Sequence, residues 1–279
     1  MTQTEKRELE ILACKARIGA IIGTFNAKSG HPGGSLSAAD MFTYPYFREM
    51  NVDPSDPSWS DRDRFVLSKG HCCPSLYAVL ALKGFFSWDE LSVLRHVGAM
   101  LQGHPDMKGT PGIDMSTGSL GQGISAACGM ALAAKLDQKD YRVYTVLGDG
   151  ECEEGEVWEA AMFAAHKGLD NLTVIVDING LQIDGTTAQV GGVEPLDTKF
   201  MSFGFDVAVI DGHDFDQIEA ALQQAKASPK PFAILMKTVK GKGVSFMENQ
   251  VGWHGKAPNA EQYQIAMAEL EEQLRGLEA

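Results

Sequence analysis

Two short polar stretches of this sequence could together hold a divalent metal ion and a diphosphate group. Gly148-Asp149-Gly150 follows one apolar run, and Asn179 follows the next such run, thirty positions after Asp149. Carboxylate and carboxamide oxygens are ligands that suit Mg²⁺, and Ca²⁺ or Mn²⁺ can take its place. Because α/β sheets bind ligands at the carboxyl ends of their strands, these residues predict a metal and diphosphate site at that edge.

Glycine-rich polar junctions that also hold His, Asp or Ser recur along the chain, at 29–34, 68–71, 103–106, 116–123 and 240–243. Glycine lets backbone N–H groups approach a ligand closely, and an imidazole with a pKa near ~6.5 can transfer protons. One such turn is ordinary loop chemistry, but the recurrence of histidine among them indicates a site. We expect His96, His166 and His213 to be structural, with His213 the strongest exception because it follows a predicted strand.

Apolar runs with strand character alternate with segments of helical period in the second half of the chain. The predicted strands are 141–147, 172–178, 205–210 and 232–236, and the helices between them are 153–167, 196–203 and 214–226. This alternation predicts an α/β fold, with a mostly parallel sheet and helices on both faces, in a single domain over 1–279.

The remaining segments of helical period predict further helices near 4–27, 37–49, 72–83, 87–95, 119–137 and 261–277. Ser87 and Ser119 each stand three residues before a Glu or Gln, the spacing of a capping box. We therefore expect helices to start at these two serines.

Composition and charge exclude several classes of function. The formal net charge is −13, which disfavours nucleic acid and anionic membranes as partners. No window resembles a membrane span or a signal peptide, so we expect a cytoplasmic protein without a membrane partner. The five cysteines show no CxxC spacing, so we expect buried, reduced thiols. The acidic neighbours of Cys152 should raise the pKa of its thiol.

Eight motifs stand in order along the chain: SGHPGGSLS (29–37), DRFVLSKGH (63–71), GHPD (103–106), STGSLGQG (116–123), GDGECEEGEVWEA (148–160), VDIN (176–179), TVKGKG (238–243) and WHGKAP (253–258). Together they resemble the N-terminal, diphosphate-binding domain of transketolase, which has the thiamine diphosphate-binding fold. The synthase of 1-deoxyxylulose 5-phosphate and the alpha subunits of 2-oxoacid dehydrogenases also share the GDG and Asn element. The proline and paired glycines after His31, and the SKGH and WHGKAP segments, resemble transketolase more.

The resemblance implies a thiamine diphosphate and Mg²⁺ site. Asp149, Asn179 and the backbone carbonyl of Leu181 would bind the metal, Gly118 and Gly150 would lie close to the diphosphate, and Leu120 near the aminopyrimidine. The full set of cofactor-binding residues implied in this way is His71, Gly118, Ser119, Leu120, Gly148, Asp149, Gly150, Glu151, Asn179 and His254.

The resemblance also implies six catalytic residues, His31, His71, His104, His254, Glu154 and Glu159. The histidines would hydrogen-bond or exchange protons with the sugar, and His254 could instead contact the diphosphate. Glu154 and Glu159 would lie near a dimer interface and connect two active sites. The alternative is that Glu154 and Glu159 are solvated acidic residues at the start of a helix, where the helix dipole favours negative charge. Glu151, Glu153 and Glu156 are also consistent with this role. Lys240 and Lys242 face either phosphate or solvent.

The activity implied is transfer of a two-carbon ketol unit from a ketose, which we expect to be phosphorylated, to an aldose. Transketolases are about twice as long as this chain, and their second half supplies the glutamate that activates the aminopyrimidine. We therefore expect a separately encoded C-terminal transketolase subunit as partner, in a dimer of heterodimers. The alternatives are a non-catalytic regulatory paralogue that kept the cofactor site and a related thiamine diphosphate enzyme subunit that acts on a different ketose.

Overall fold

Five parallel strands form the main sheet of the computed structural model, which describes residues 1–279. The strands in chain order are β1 (Arg64–Leu67), β2 (Val143–Gly148), β3 (Leu172–Ile178), β4 (Leu181–Gln182), β5 (Gly185–Thr186), β6 (Asp206–Asp211) and β7 (Phe232–Lys237). The order across the main sheet is β1-β2-β3-β7-β6, and every neighbouring pair is parallel. Strands β4 and β5 form a separate antiparallel hairpin directly after β3.

Nine α-helices surround the sheet: α1 (Gln3–Ala27), α2 (Pro32–Tyr44), α3 (Cys73–Lys83), α4 (Gln122–Leu136), α5 (Gly155–His166), α6 (Thr187–Val190), α7 (Leu196–Ser202), α8 (Phe215–Ala227) and α9 (Ala260–Glu278). None of them has both the length and the apolar character needed to cross a bilayer.

Alternate residues of each strand enter different apolar layers, because successive side chains of a strand point to opposite faces. Phe65 and Ile175 pack with α1, α2, α3 and α8 in one layer, whereas Val66 and Val174 pack with α4, α5 and α7 in the other. A smaller cluster lies between α1 and α9. The prediction of a mostly parallel sheet with helices on both faces is confirmed.

The four predicted strands are present as β2, β3, β6 and β7. Their ends differ from the prediction by two residues at most, and those of β3 coincide with it. Strand β1 was not predicted as a strand. It has only four residues, too few for an alternating pattern to be distinguished from an apolar loop.

Three helix predictions need correction. Helix α2 begins at Pro32 rather than at 37, because proline suits the first turn of a helix, and a π-helical turn over Pro45–Glu49 follows it. Helix α4 begins at Gln122 after Gly121, whose φ is 82°, so Ser119 does not cap it. The segment that Ser87 begins is a short 3₁₀ helix over Trp88–Val93.

Candidate active site

The ends of neighbouring strands bring Asp149 close to the loop that carries Asn179. Gly148 at the end of β2 is in register with Asp177 near the end of β3. The Asp149 N–H donates to the Asp177 carbonyl oxygen (3.1 Å), and the Gly180 N–H donates to Asp149 Oδ2 (2.6 Å). These bonds join the two strand ends, and Asp149 is only 3% exposed.

Asn179 and Leu181 carry the other two predicted metal ligands. Asn179 Nδ2 donates to Asp177 Oδ2 (3.1 Å), and Asn179 Oδ1 accepts from the Leu181 N–H (3.2 Å). The two bonds together fix which end of the amide carries the oxygen. The Leu181 carbonyl oxygen accepts from Lys240 Nζ (3.0 Å).

The oxygens of this cluster suit a hard divalent cation. Each carboxylate oxygen of Asp149 accepts one backbone N–H, from Gly150 and Gly180, and retains acceptor capacity. Burial, together with the charge of Asp177, raises the pKa of Asp149 to about 6. A bound cation would favour the ionised carboxylate. One carboxylate, one carboxamide and one carbonyl are donors that fit Mg²⁺.

A buried ion pair that was not predicted from the sequence lies beside these ligands. Lys69 and Asp177 are 2% and 0% exposed, and Lys69 Nζ donates to Asp177. Ser37 and Thr238 also donate to this carboxylate. Burial alone would raise the pKa of Asp177, but Lys69 lowers it below its ordinary value. An aspartate inside the apolar run 172–178 is the signal that could have revealed the pair, since a buried carboxylate needs partners.

Four histidines from separate loops lie together in the structure. The ring centroid of His31 is 5.1 Å from that of His71, 5.5 Å from that of His254 and 6.2 Å from that of His104. The rings of His71 and His254 are also 5.1 Å apart. The structure therefore brings the four predicted histidines together, and their catalytic role stays a prediction.

The pKa values of these histidines differ from the expected ~6.5, so that prediction is wrong. Burial, reinforced by nearby cations, lowers the pKa of His31 to about 4 and that of His254 to about 3. Burial also lowers the pKa of His71 and of His104. The four imidazoles are neutral at pH 7, so each offers one donor and one acceptor.

Lys240 joins the histidine cluster to the predicted metal ligands. The residue is 2% exposed, and Nζ contacts both the Leu181 carbonyl oxygen (3.0 Å) and His254 Nδ1 (2.9 Å). Burial, together with the charge of Lys69, lowers the pKa of Lys240 to about 8. The sequence left open whether Lys240 faces phosphate or solvent. Because the side chain is buried, the interpretation as a solvated lysine is wrong. Lys242 is partly exposed and its side chain makes no hydrogen bond.

A cavity of about 300 Å³ connects these groups. The predicted residues that line it are His31, His71, His104, Gly118, Leu120, Gly148, Asp149, Gly150, Glu151, Asn179, Leu181 and His254. Lys69, Gln182, Asp184 and Lys240 line it as well. His31 Nδ1 is buried without a hydrogen-bond partner, which marks a place where a bound molecule could supply one. Ser119, Glu154, Glu159 and Lys242 do not line the cavity.

Gly118 is needed where the 116–123 loop meets the histidines. Its φ is 152°, and a Cβ there would come within 3.2 Å of the His104 ring. A side chain at this position would therefore displace the imidazole. Ser119 is exposed next to it, and Leu120 is 37% exposed at the cavity.

Comparison with known families identifies the domain. The profile described as transketolase, thiamine diphosphate binding domain, matches residues 11–272. The chain belongs to this transketolase family.

Individual relatives agree with this. The chain is 51% identical to the 6-deoxy-6-sulfo-D-fructose transketolase subunit SqwG of Clostridium sp. (strain MSTE9), over 88% of this chain and 89% of that protein. It is 42% identical to one of the subunits of the apulose-4-phosphate transketolase of Phocaeicola vulgatus, over 99% of this chain and 98% of that protein. Among solved structures, transketolase from Leishmania mexicana superposes with a TM-score of 0.85 at 31% identity, over 97% of this chain and 45% of that one.

The sequence also allowed Glu151 to be a solvated residue at the start of a helix. In this transketolase domain Glu151 is buried instead. It is 3% exposed, and it accepts hydrogen bonds from Ser68 Oγ and from the N–H groups of Gly121 and Gly148. Burial raises its pKa. Its oxygens are thus engaged by the protein, and Glu151 holds three loops of the site together.

Glu154 and Glu159 are exposed in the transketolase domain. Glu154 is the residue before α5, and Glu159 lies on that helix beside the exposed Met162. Their predicted place at a dimer interface stays a prediction.

The other histidines and the cysteines lie outside the site. His96 and His166 are exposed, and the ring of His213 contacts Asp40 and the Val239 backbone. All five cysteines are free and buried. Burial, and then the charges of Glu151 and Asp149, raise the pKa of Cys152, which confirms the expected direction.

Proposed function

We propose that this chain is the thiamine diphosphate- and Mg²⁺-binding subunit of a transketolase that transfers a two-carbon ketol unit from a ketose to an aldose. The observation that carries this proposal is the convergence of oxygen ligands, a buried lysine and four neutral histidines on one cavity in a member of this family.

The residues of the cavity divide into two groups. Asp149, Asn179 and the Leu181 carbonyl would hold the metal with the diphosphate, and Lys240 would face the diphosphate as a cation. When bound, thiamine diphosphate supplies a nucleophilic carbon and an electron sink for the two-carbon unit. An anionic ligand would favour the charged form of Lys240, whose pKa burial lowers to about 8.

The neutral histidines would bind the sugar. Lys240 Nζ donates to His254 Nδ1, so His254 carries its proton on Nε2 and can donate from there. His31 has an unpartnered Nδ1. In this proposal His31, His71 and His104 orient the hydroxyl and carbonyl oxygens of the donor, and accept or return a proton as the C2–C3 bond breaks and re-forms.

The donor in this proposal is a ketose with an anionic group, either phosphate or sulfonate. The support is that the two relatives described above are named for 6-deoxy-6-sulfo-D-fructose and for apulose 4-phosphate. Both sugars carry an anionic group away from the reacting carbonyl.

The protein in this proposal works with a separately encoded C-terminal transketolase subunit, in a dimer of heterodimers. The support is that relatives that match over nearly their whole length are named as subunits. The chain spans less than half the length of the solved transketolases. Five free cysteines suit the cytoplasm, a reducing compartment, as its location.

The experiment is reconstitution of ketol transfer. The chain and a separately expressed C-terminal subunit are mixed with thiamine diphosphate and Mg²⁺. The mixture is assayed with an aldose phosphate as acceptor and with fructose 6-phosphate, 6-deoxy-6-sulfofructose or fructose as donor. We expect turnover only when both subunits are present and the ketose is anionic. Addition of EDTA should abolish this turnover. Robust turnover by the chain alone would contradict the shared site.

Asp149→Ala tests the metal assignment within this assay. It removes a carboxylate that the proposal gives to Mg²⁺, and we expect activity to fall below detection. Asp137→Ala, an exposed aspartate after α4, is the matched control and should leave activity unchanged. Full activity of Asp149→Ala at saturating Mg²⁺ would mean that the metal binds elsewhere.

A further inference from the structure

His213 holds the backbone next to Lys240 through its ring. It lies between β6 and α8, outside the cavity, and its Nε2 is 3.0 Å from the Val239 nitrogen. A backbone N–H can only donate, so Nε2 must be the acceptor. The other ring nitrogen, Nδ1, is 2.6 Å from Asp40 Oδ2 and therefore donates to this carboxylate. The two contacts fix both the tautomer and the orientation of the ring.

Asp40, on α2, is held in place by an ion pair with Arg17 of α1. The two residues are 4% and 8% exposed. Arg17 Nε also donates to the Leu36 carbonyl oxygen (3.1 Å). Burial opposes the charge of Asp40, but Arg17 and His213 keep its pKa below the ordinary value. A chain of buried polar contacts thus runs from α1 through α2 to the loop after β7.

The loop after β7 carries Lys240 into the cavity. The N–H of Val239 donates to His213, and the N–H of Gly241, on the other side of Lys240, donates to the Gly33 carbonyl oxygen (2.9 Å). The backbone is therefore held on both sides of Lys240. The Lys240 carbonyl oxygen also accepts from the Asn249 N–H (2.9 Å). Loss of the Val239 bond would free the backbone on the β7 side of Lys240, and a displaced backbone would move Nζ from His254 and from the Leu181 carbonyl.

We propose that His213 is a positioning residue of the cofactor site, which acts by accepting the Val239 N–H and thereby holds Lys240 toward the diphosphate. This inference rests on the proposed function for the identity of the ligand. The acceptor at Nε2 is the group that matters, and the donor at Nδ1 only orients the ring against Asp40.

Two variants separate the two nitrogens. His213→Asn keeps a donor near the position of Nδ1 but is too short to reach Val239. His213→Gln is long enough to place an amide oxygen near the position of Nε2. If His213 serves only to donate a hydrogen bond to the buried Asp40, Asn should replace it better than Gln. If its role is to accept the Val239 N–H, Gln should restore the wild-type behaviour. His166→Asn, at an exposed histidine at the end of α5, is the matched control.

The first measurement is hydrogen–deuterium exchange of the full chain over the peptide 236–244, without cofactor. In His213→Asn we expect exchange in this peptide to be about threefold to tenfold faster than in the wild type, as for loss of one hydrogen bond. His213→Gln and His166→Asn should exchange like the wild type. Unchanged exchange in His213→Asn, or equally fast exchange in His213→Gln, would overturn the proposal.

The second measurement is the affinity of the reconstituted pair for thiamine diphosphate at fixed Mg²⁺. We expect His213→Asn to weaken binding by about threefold to tenfold and to leave kcat at saturating cofactor unchanged, with rescue by His213→Gln. Equal affinity of the wild type and His213→Asn would overturn the role toward the cofactor. Failure of the wild type to bind thiamine diphosphate would instead contradict the proposed function, while the exchange result would still decide whether His213 holds the loop.

Discussion

Lys69 and Lys240 bring two buried positive charges to the site of a chain whose net charge is −13. Lys69 forms an ion pair with Asp177, whereas Lys240 contacts only a carbonyl oxygen and an imidazole nitrogen. A buried charge without a charged partner is costly unless a ligand supplies one. Lys240 is therefore the cation of this cavity that is free to meet a diphosphate.

Lys240→Met tests this role. It removes a charge-assisted contact, so the affinity of the reconstituted pair for thiamine diphosphate should fall by about 10- to 100-fold in an equilibrium titration. Lys242→Met, two residues later and partly exposed, is the control and should bind as the wild type does. Equal affinities of the two variants would show that Lys240 does not contact the diphosphate.

The lowered pKa of His31 predicts a pH dependence of stability. Between about pH 6.5 and pH 4 the unfolded chain binds a proton at this residue and the folded chain does not, because the pKa is about 4 in the fold. Stability should therefore fall as the pH falls through this range. Urea unfolding of His31→Asn should show a shallower fall than that of the wild type. Parallel pH profiles would contradict the lowered pKa.

Most of the residues that line the cavity could be predicted from the sequence, because glycine, histidine and strand-end carboxylates keep a fixed order in the motifs. Lys69, Asp177 and the role of Glu151 between loops could not. Their importance comes from mutual contacts between loops far apart in the chain, such as Ser68 with Glu151. Asp177 inside an apolar run signals that a buried partner is needed, but no local pattern shows which distant residue supplies it.

At the scale of elements, the site depends on loops that buried hydrogen bonds tie together. Glu151 joins the loop after β1, the loop before α4 and the end of β2 through Ser68, Gly121 and Gly148. The loss of an acceptor oxygen there would leave a buried backbone N–H group unpaired.

Glu151→Gln tests this arrangement. The amide replaces one acceptor oxygen with a donor, so we expect the free energy of unfolding to fall by about 1 to 3 kcal/mol in urea titrations. Glu153→Gln, an exposed glutamate two residues away, should change it by less than about 0.5 kcal/mol. A Glu151→Gln variant as stable as the control would mean that these bonds contribute little.

The strand and helix pattern predicted the sheet because β2, β3, β6 and β7 are runs of six or seven mostly apolar residues. Prediction failed where length or backbone conformation decided the element. Strand β1 is too short to show a pattern, and the start of α4 depends on the left-handed backbone of Gly121 rather than on a serine cap.

At the scale of the whole molecule, helix α5 presents an exposed apolar surface. Met162 and Phe163 are 58% and 39% exposed, and Met162 lies three residues after Glu159, on the same side of the helix. These exposed apolar side chains beside Glu159 make this surface the place to test the predicted interface between two copies of the chain.

Met162→Glu tests that interface. A charge at a buried apolar contact is unfavourable, so sedimentation velocity of the reconstituted protein should show the dimer of heterodimers dissociating into heterodimers. Met201→Glu, at a methionine of α7 that is 52% exposed, is the control and should leave the assembly intact. An unchanged assembly in Met162→Glu would place the interface elsewhere.

In the proposed function, this chain binds the diphosphate end of thiamine diphosphate. The most direct test of this binding is a titration of the reconstituted pair with thiamine diphosphate and with thiamine, at fixed Mg²⁺, for the wild type and for Asp149→Ala. We expect the wild type to bind thiamine diphosphate far more tightly than thiamine, and Asp149→Ala to lose that preference. Equal binding of the two compounds by the wild type, or an unchanged preference in Asp149→Ala, would contradict the proposal.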